Sequence, residues 1–531
     1  MKNIKTAIAQ KNFTVGDLKS NFEIIVNSIE NAKNNGAEII VFPELSLSGY
    51  FPKDLLLNNK FISDNEKYMK MIADKTNSIV ALVGFVSRNG NDIYNSVAVI
   101  QNRKIVKIIN KNNLTYTEKR YFSEGKSSEI ISVKIDNYTY NVGVDFTNNF
   151  EIDDKNSEKY GEGKANFLFL FGNSAYSFNK LEKRRDAIVE KAKKIKTPII
   201  YTNIVGGQDD LIYDGNSFAV DKNGNPIAIC DGNKENMKFF KIAESDVLSS
   251  FEPIDKMEEL FKSLVLGIRD YFVKTGFKEA ILGLSGGIDS ALVAVLVSEA
   301  IGSENVYSYS MPSNFSTDHS ITDAENLAKN LGINYKEIPI KDSYDNLLST
   351  LDSEFSGTKF GIAEENLQAR IRGIILMSIA NKFNRLVLAT GNKTEVFLGY
   401  FTLYGDSNGA LAPISDLNKI LVYSLSNHIN KRTSREIIPQ NIIDKKPSAE
   451  LKDEQYDPFD YEKIAPLVDE IIDNNLTKNE LLKMNYDEKM IDEVMNLIQK
   501  SEYKRHQLVT GLKVSDAMVH KNRKMPIINR F

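Results

Sequence analysis

Several residue types are scarce or absent in this chain of 531 residues, and each absence excludes a class of protein. Tryptophan is missing altogether. Cys230 is the sole cysteine, which excludes an intramolecular disulfide and favours a reducing compartment. The four histidines are far apart in sequence, which argues against a zinc site; they are His319, His428, His506 and His520. Any metal is therefore expected to be a hard ion held by carboxylates and phosphates.

Charge and hydropathy exclude two further classes. The formal net charge is −4 at pH 7, so the whole chain lacks the positive charge typical of nucleic-acid binding. No stretch approaches the roughly 18 apolar residues that a membrane-spanning helix needs. The first residues, MKNIKTAIAQKNF, lack the apolar core and cleavage site of a secretory signal. We expect a cytoplasmic protein that binds neither nucleic acid nor membrane.

The length is too great for one hydrophobic core and indicates two or three domains. We place a boundary near residue 250, where a polar, broken segment precedes an amphipathic helix, and expect domains at 1–250 and 251–531. The first half alternates short apolar runs with amphipathic ones. The runs 38–42 and 167–171 are continuously apolar, as in strands covered on both faces. This pattern predicts a layered α/β domain, with a helix over 20–36.

The second half repeats strand–helix units. The runs EAILGLS, VYSYSM, NYKEIPI and RLVLAT each lead into a loop and a helical segment. This arrangement predicts a doubly wound parallel sheet with ligands at the carboxyl ends of its strands.

The strongest motif is the loop SGGIDS (285–290), which lies between a buried strand and a helix. Two glycines let the backbone approach an anion, and free amides at the start of the helix favour negative charge. A Walker A loop is excluded because no Gly-Lys-Ser/Thr follows. The alternative is an ordinary glycine-rich turn with Asp289 as the helix N-cap. The complete pattern favours a phosphate-binding loop.

The loop resembles the pyrophosphate-binding loop of the N-type ATP pyrophosphatases. Five downstream segments are similar to the NAD synthetase family, so that the resemblance covers about 257–531; they are 364–373, 388–406, 411–420, 445–457 and 502–507. The resemblance implies an adenine nucleotide α-hydrolase-like fold. It also implies ATP-dependent amidation of deamido-NAD by ammonia through an adenylate, with release of AMP and pyrophosphate.

The same resemblance implies the residues of the site. The expected ATP-binding residues are Gly283, Leu284, Ser285, Gly286, Gly287, Ile288, Asp289, Ser290, Thr390, Lys419 and Ser448. The expected deamido-NAD-binding residues are Asn366, Arg370, Glu395 and Lys504. Asp289 and Glu395 are the expected carboxylates for Mg²⁺. Without the surrounding motifs, we would interpret Lys419 and Lys504 as solvated surface charges.

The first half resembles the nitrilase superfamily over about 4–250, most closely its glutaminase domains, at segments 41–56, 173–185 and 201–218. The family fold is an αββα sandwich, and its site uses a Glu base, a Lys that stabilises an oxyanion, and a Cys nucleophile. Glu44 matches the base. Lys111 matches the lysine by the upstream register, whereas the downstream register would select Lys107. Ser174 and Lys180 match positions that contact glutamine.

The family pattern fails at the nucleophile. Thr147 occupies the place of the cysteine, and a polar turn, Thr147-Asn148-Asn149, is expected there. An internal threonine lacks the α-amino group that catalytic threonines use as a base. The acidic pair after the cysteine and the tryptophan are also replaced. We expect a pseudo-glutaminase with no covalent chemistry at Thr147, and Cys230 is expected to be a buried hydrophobe rather than a substitute.

Three functions remain open from the sequence. The first is an ammonia-using NAD synthetase, the second is the same ligase with working glutamine use, and the third is a non-enzymatic nucleotide-binding scaffold. The resemblance further implies a homo-oligomer, at least a dimer and in fused versions an octamer.

Overall fold

The computed structural model describes residues 4–126, 129–148, 159–161, 163–242, 248, 250–452, 455–517 and 524–528. The chain forms two compact units, Met1–Glu259 and Leu260–Phe531. Asn149, which we expected in a turn, lies outside the described residues. None of the helices in the described part of the chain is long and apolar enough to cross a membrane.

In the described part of the first unit, the strands form two six-stranded sheets and a hairpin. The first sheet contains β1 (Lys5–Gln10), β2 (Ile39–Val41), β3 (Val80–Asn89), β4 (Asp92–Gln101), β5 (Lys104–Asn110) and β14 (Asn236–Lys241), in the spatial order β14-β1-β2-β3-β4-β5. The second contains β6 (Glu129–Ile135), β7 (Tyr138–Thr147), β8 (Phe167–Gly172), β9 (Ile199–Thr202), β12 (Phe218–Val220) and β13 (Pro226–Ile229), in the order β13-β12-β9-β8-β7-β6. The hairpin pairs β10 (Val205–Gln208) with β11 (Leu211–Asp214).

The two sheets pack face to face and helices cover their outer faces. Successive side chains of β2 point to opposite faces of the first sheet. Val41 therefore belongs to the cluster between the sheets, and Ile40 to the cluster under the helices. Helices α1 (Leu18–Asn34) and α2 (Asn59–Lys75) cover the first sheet, and α3 (Lys180–Ile195) covers the second. The predicted αββα sandwich is confirmed. Helix α1 begins two residues before the predicted segment, because Asp17 caps it by accepting a bond from Ser20 N.

The sheet of the second unit has four parallel strands. They are β15 (Ala280–Gly283), β16 (Val306–Ser310), β17 (Asn334–Glu337) and β18 (Leu386–Val387), in the spatial order β17-β16-β15-β18. The chain moves outward from β15 on one side and then returns to pair β18 on the other. This reversal creates a switch point between β15 and β18, where ligands bind in sheets of this kind. The predicted doubly wound parallel sheet is confirmed. A further pair joins β19 (Leu411–Ala412) to β20 (Thr510–Gly511).

Twelve helices belong to the described part of this half of the chain, the first of which crosses the division between the units. They are α4 (Lys256–Thr275), α5 (Ile288–Ile301), α6 (Asp318–Leu331), α7 (Lys341–Phe355), α8 (Ile362–Phe383), α9 (Lys393–Leu398), α10 (Lys419–Thr433), α11 (Gln440–Asp444), α12 (Tyr461–Ile472), α13 (Lys478–Lys483), α14 (Glu488–Lys500) and α15 (Glu502–Arg505). Helix α5 is apolar on nearly every side and is buried along its length, as expected for a helix within the core.

A tight contact in the first unit positions the segment that carries Glu44. The backbone of Pro43–Leu45 lies directly over Gly84 in β3, and Leu47 N donates to Gly84 O at 3.1 Å. A Cβ atom added at Gly84 would lie 2.4 Å from Leu45 N and 2.6 Å from Pro43 O. Only glycine allows these two backbones to approach so closely.

We expect Gly84→Ala to lower the free energy of unfolding of the first unit by about 1–3 kcal/mol, because backbone atoms must move to admit the methyl group. Chemical denaturation followed by far-UV circular dichroism would measure this loss. Gly361→Ala serves as the control, because the nearest atom to its added Cβ is 3.8 Å away. Equal effects of the two substitutions would contradict the assigned contact.

Candidate functional site

The loop between β15 and α5 has the features of an anion site. Gly287 is the N-cap of α5 and supplies no side-chain cap, so the amides of the first turn face outward from the helix. The alternative role of Asp289 as N-cap is wrong, because Asp289 lies within the first turn of the helix. Gly286 has φ +74°, and an added Cβ would lie 2.3 Å from Ser320 O. The loop therefore requires glycine at this position.

Asp289, Glu395 and Lys419 meet at the switch point between β15 and β18. Lys419 Nζ lies 2.5 Å from Asp289 Oδ2 and 3.2 Å from Glu395 Oε1. The three side chains are largely buried, with exposures of 3% for Lys419, 18% for Asp289 and 16% for Glu395. Asn392 Nδ2 adds a bond of 2.9 Å to Asp289 Oδ1. The arrangement joins the phosphate loop to the segment after β18.

The local sequence explains how Glu395 is held. Asn392 and Glu395 form a capping box at the start of α9, in which each side chain bonds the backbone N–H of the other residue. Lys393 is buried, and its Nζ lies 2.9 Å from Asp469 Oδ1 and 2.7 Å from Asp473 Oδ2. These contacts fix α9 against the C-terminal helices, and therefore fix the carboxylate of Glu395.

Burial and charge act in opposite directions on these groups. Burial raises the pKa of Glu395 to about 8, with the ammonium of Lys419 opposing the change and the charge of Asp289 adding to it. Burial alone would lower the pKa of Lys419, but the charges of Asp289 and Glu395 outweigh burial and raise it. Lys419 is thus a cation at any physiological pH.

A cavity of about 400 Å³ opens at this place. Most of the residues predicted for ATP and deamido-NAD line it, namely Gly283, Leu284, Ser285, Gly287, Ile288, Asp289, Ser290, Thr390, Lys419, Ser448, Asn366, Glu395 and Lys504. Gly286 and Arg370 are not among the lining residues. Arg370 Nε instead donates to Leu403 O at 3.3 Å.

Two of the predicted dinucleotide residues are held by neighbouring backbone or hydroxyl groups. Lys504 Nζ donates to Gly399 O and Phe401 O, each at 2.8 Å, and burial lowers the pKa of Lys504. Asn366 Oδ1 accepts a bond of 2.6 Å from Thr402 Oγ1. Both side chains are therefore fixed at the wall of the cavity.

The two carboxylates suit a hard cation. Within the described residues, no three His, Cys, Asp or Glu side chains are grouped as a complete metal site. Asp289 and Glu395 alone meet around Lys419, so they would supply part of an oxygen shell. Mg²⁺ commonly takes one or two protein carboxylates and completes its shell with phosphate oxygens and water. The residues present fit Mg²⁺ brought in with ATP.

Sequence reasoning missed other residues of the cavity wall, among them Arg372, Lys445 and Glu450. Glu450 Oε1 accepts from Lys445 Nζ at 2.9 Å and from Ser320 Oγ at 2.6 Å. The two segments that carry Ser320 and residues 445–450 therefore meet close to Gly286. The family resemblance in segment 445–457 indicated Ser448 but not these charged neighbours.

The first unit holds a second buried cluster of charges. Lys111 Nζ lies 2.9 Å from Glu44 Oε1 and 2.9 Å from Glu118 Oε1. Asn95 Nδ2 donates to both carboxylates, at 2.5 Å and 3.1 Å. All four side chains are buried. Sequence reasoning missed Glu118 and Asn95, although Glu118 lies in the downstream segment whose register would have selected Lys107 instead of Lys111.

The cluster makes Glu44 a titratable group near neutral pH. Burial raises the pKa of Glu44 to about 7, with the charge of Lys111 opposing the change and that of Glu118 adding to it. Burial lowers the pKa of Lys111, but the two carboxylates outweigh it and the pKa is raised. Glu44 Oε2 is buried and has no hydrogen-bond partner among the described residues. A carboxylate in this state can take up a proton.

Thr147 lies at the end of β7 and not in the expected turn. Strand β7 continues through Thr147, which pairs with Gly172 of β8 and is buried. The next residue, Asn148, donates from Nδ2 to Asn113 O at 2.6 Å. Asn113 lies two residues after Lys111 in the sequence. The end of β7 and the Lys111 loop are therefore adjacent. The prediction of a turn starting at Thr147 is wrong, because strand pairing with β8 extends one residue further than the apolar run.

The other predicted residues of the first unit differ in their surroundings. Ser174 is buried, and its backbone N–H donates to Asn203 Oδ1 at 3.0 Å. Lys180 starts α3 and donates to Ala175 O at 3.1 Å. Lys107 is exposed and lies 2.6 Å from Glu129 Oε2, away from Glu44. Cys230 is buried between the sheets, and burial raises the pKa of its thiol to about 12.

Two known proteins match this chain from end to end. A glutamine-dependent NAD(+) synthetase of Thermotoga maritima is 38% identical, over 100% of this chain and 99% of that protein. A protein of the same name from Synechocystis sp. is 39% identical, over 99% of this chain and 98% of that protein. The profile of the NAD synthase family matches residues 260–508. The chain belongs to the NAD synthase family.

A second family profile, carbon-nitrogen hydrolase, matches residues 5–247. A solved glutamine-dependent NAD+ synthetase of Acinetobacter baumannii, in complex with ADP, superposes with a TM-score of 0.79 at 31% identity and covers 99% of both chains. A further synthetase structure, from Cytophaga hutchinsonii, has a TM-score of 0.86 at 20% identity over 99% of this chain and 98% of that one, which shows the fold alone. As a member of the NAD synthase family, the chain is an enzyme, a ligase that forms a carbon–nitrogen bond.

The raised pKa of Glu44 makes a prediction about stability and pH. Between pH 4.5 and pH 7 the folded state holds a proton on Glu44 that the unfolded state has lost, so this group destabilises the fold as pH rises through that window. We expect the stability of the wild type relative to Glu44→Gln to fall across it, by at most about 1.4 kcal/mol per pH unit. Denaturant unfolding at several pH values measures the difference.

Glu190→Gln is the matched control, because the side chain of Glu190 is 71% exposed. The stability difference between Glu190→Gln and the wild type should not change comparably with pH between pH 4.5 and 7. A flat difference for Glu44→Gln as well would contradict the described environment of Glu44.

Proposed function

We propose that the chain synthesises NAD+ from deamido-NAD, ATP and ammonia at the cavity of the second unit. The observation that carries the proposal is the meeting of the SGGIDS loop with Asp289, Glu395 and Lys419 at the switch point of a parallel sheet. The names of the full-length relatives support the same activity. A nucleotide-binding scaffold without chemistry would not need two carboxylates and a lysine at the phosphate loop.

The reaction proceeds in two steps. The nicotinate carboxylate attacks the α-phosphorus of ATP, which forms an acyl adenylate and releases pyrophosphate. Ammonia then attacks the carbonyl carbon, AMP leaves with the electrons of the carbon–oxygen bond, and the nitrogen loses a proton. The amides of residues 285–290 and the ammonium of Lys419 stabilise the charge that develops on the pyrophosphate. Asp289 and Glu395 would hold Mg²⁺, which supplies further neutralisation of phosphate charge.

The remaining predicted residues are assigned to the two substrates. Thr390 and Ser448 contact ATP, and Asn366, Arg370 and Lys504 hold the dinucleotide. Their support is the family resemblance, together with the position of all but Arg370 on the cavity wall. We further propose a cytoplasmic homo-oligomer, whose size analytical ultracentrifugation would measure.

Ammonia is the proposed nitrogen source because of Thr147. A cysteine thiol ionises at a pKa of about 8.5 and is a strong nucleophile, whereas an internal threonine hydroxyl is far less acidic and is hindered by its methyl group. The second candidate is full use of glutamine, and one observation favours it. Glu44, Lys111 and Glu118 form an intact buried cluster, so that the losses expected around the nucleophile do not extend to these charges.

The synthetase reaction makes a clear prediction. We expect exchange of labelled pyrophosphate into ATP only when deamido-NAD is present, without any nitrogen donor, because the adenylate forms before ammonia is used.

Gly286→Ala should weaken ATP binding at least about tenfold, because the loop must move away from Ser320 O. Gly332→Ala is the control, since Gly332 also has positive φ, +68°, but open space at its Cβ. Exchange without the dinucleotide, or no exchange at all, would contradict the mechanism.

The nitrogen source is tested separately. In ammonia-free buffer, we expect the wild type to make NAD+ with added ammonium but not with glutamine. Thr147→Cys should raise glutamine-supported synthesis at least about tenfold, because a nucleophile is restored beside Glu44 and Lys111. Thr147→Cys combined with Glu44→Gln should lose that gain. Glutamine-supported synthesis by the wild type that disappears in Glu44→Gln would show that the second candidate is correct.

A further inference from the structure

Arg372 and Lys504 differ from the other cations of the cavity in the partners that surround them. Among the described residues, five cationic side chains line the cavity: Arg372, Lys419, Lys445, Lys446 and Lys504. Two of the lysines have carboxylate partners within 4.0 Å. Lys446 lies over the ring of Tyr456, with Nζ 5.9 Å from the ring centre. Arg372 and Lys504 bond backbone carbonyls instead.

The guanidinium of Arg372 is held at one nitrogen. Nε donates to Met311 O at 2.9 Å, directly after the carboxyl end of β16. Within the described residues, no carboxylate lies within 4.0 Å of the guanidinium, and the charges of Glu450 and Asp406 act on it only from further away. Burial lowers the pKa of Arg372 to about 10, which these distant charges do not offset. Its two terminal nitrogens are left as a fork without a carboxylate.

A half-buried cation without a paired anion is unfavourable unless a ligand compensates its charge. A second arginine of the same unit shows the structural alternative. Arg385 Nε lies 2.8 Å from Glu279 Oε2, and its guanidinium stacks on Tyr307 with 3.2 Å to the ring centre. Arg385 is therefore satisfied by the protein itself. Arg372 has the charge, the fork geometry and the position to be satisfied by an anionic ligand.

We propose that Arg372 is a substrate-binding residue, whose terminal nitrogens contact an oxyanion of one of the two substrates in the cavity. The shared chemistry is a phosphate or carboxylate oxygen, which belongs to ATP or to deamido-NAD. This inference rests on the proposed function, since it takes both compounds as the ligands of the cavity. It adds to Arg370, the residue that the family resemblance indicates, because Arg370 bonds Leu403 O and does not line the cavity.

Isothermal titration of the full chain with Mg²⁺–ATP alone, and with deamido-NAD alone, tests the proposal. We expect Arg372→Met to weaken the binding of one of the two by about 10- to 100-fold, as for the loss of a charge-assisted contact. Arg372→Lys should lie between the wild type and Arg372→Met, because it keeps the charge and loses the fork. The arm that changes identifies the substrate.

Thermal unfolding without ligand separates a binding role from a structural one. We expect the midpoint of Arg372→Met to equal or exceed that of the wild type, because an uncompensated cation has been removed. Arg385→Met is the matched control, and should lower the midpoint while leaving both affinities unchanged.

Unchanged affinities in both arms, or a midpoint for Arg372→Met lowered as in Arg385→Met, would overturn the proposal. A wild type that binds neither compound would instead refute the proposed function.

Discussion

The ammonium of Lys419 between the carboxylates of Asp289 and Glu395 is the interaction on which the cavity of the second unit depends. Each of the three groups is largely buried, so none would be stable there without the others. Asp289 lies in the first turn of α5, Glu395 lies in α9 and Lys419 begins α10, so this one cluster fixes three helices around the phosphate loop. The capping box of α9 and the ion pairs of Lys393 then hold the cluster from behind.

The first unit contains a buried cluster of charges, although threonine stands where the family resemblance leads us to expect a nucleophile. Lys111 bonds Glu44 and Glu118, and Asn95 bridges the two carboxylates, whereas Thr147 ends β7 next to the Lys111 loop. Removing one member of such a network leaves an unpaired charge in the core, which is strongly destabilising. The network can therefore persist for the stability of the sandwich, whichever nitrogen source the ligase uses.

Periodicity predicted a layered α/β domain and a doubly wound parallel sheet, because strands and helices have local sequence patterns. The αββα sandwich and the predicted residues for ATP and deamido-NAD came from the family resemblance, and all of those residues except Gly286 and Arg370 line the cavity. Positions that depend on packing were not accessible in this way. Arg370 and Arg372 are two residues apart on α8, so they point about 200° apart around the helix axis, and only the packed structure shows which one lines the cavity. The same holds for Asn95, whose amide joins Glu44 to Glu118 from strand β4.

The pairing of β15 with β18 has a consequence for folding. Ile281 pairs with Val387 although roughly a hundred positions separate them in the chain, whereas β15 reaches β16 after a single helix. Forming contacts between residues so far apart in sequence has a high cost in loop-closure entropy. The cavity at this switch point is therefore completed only when the most distant strand docks, and a ligand bound there would shift the conformational equilibrium toward that docked state.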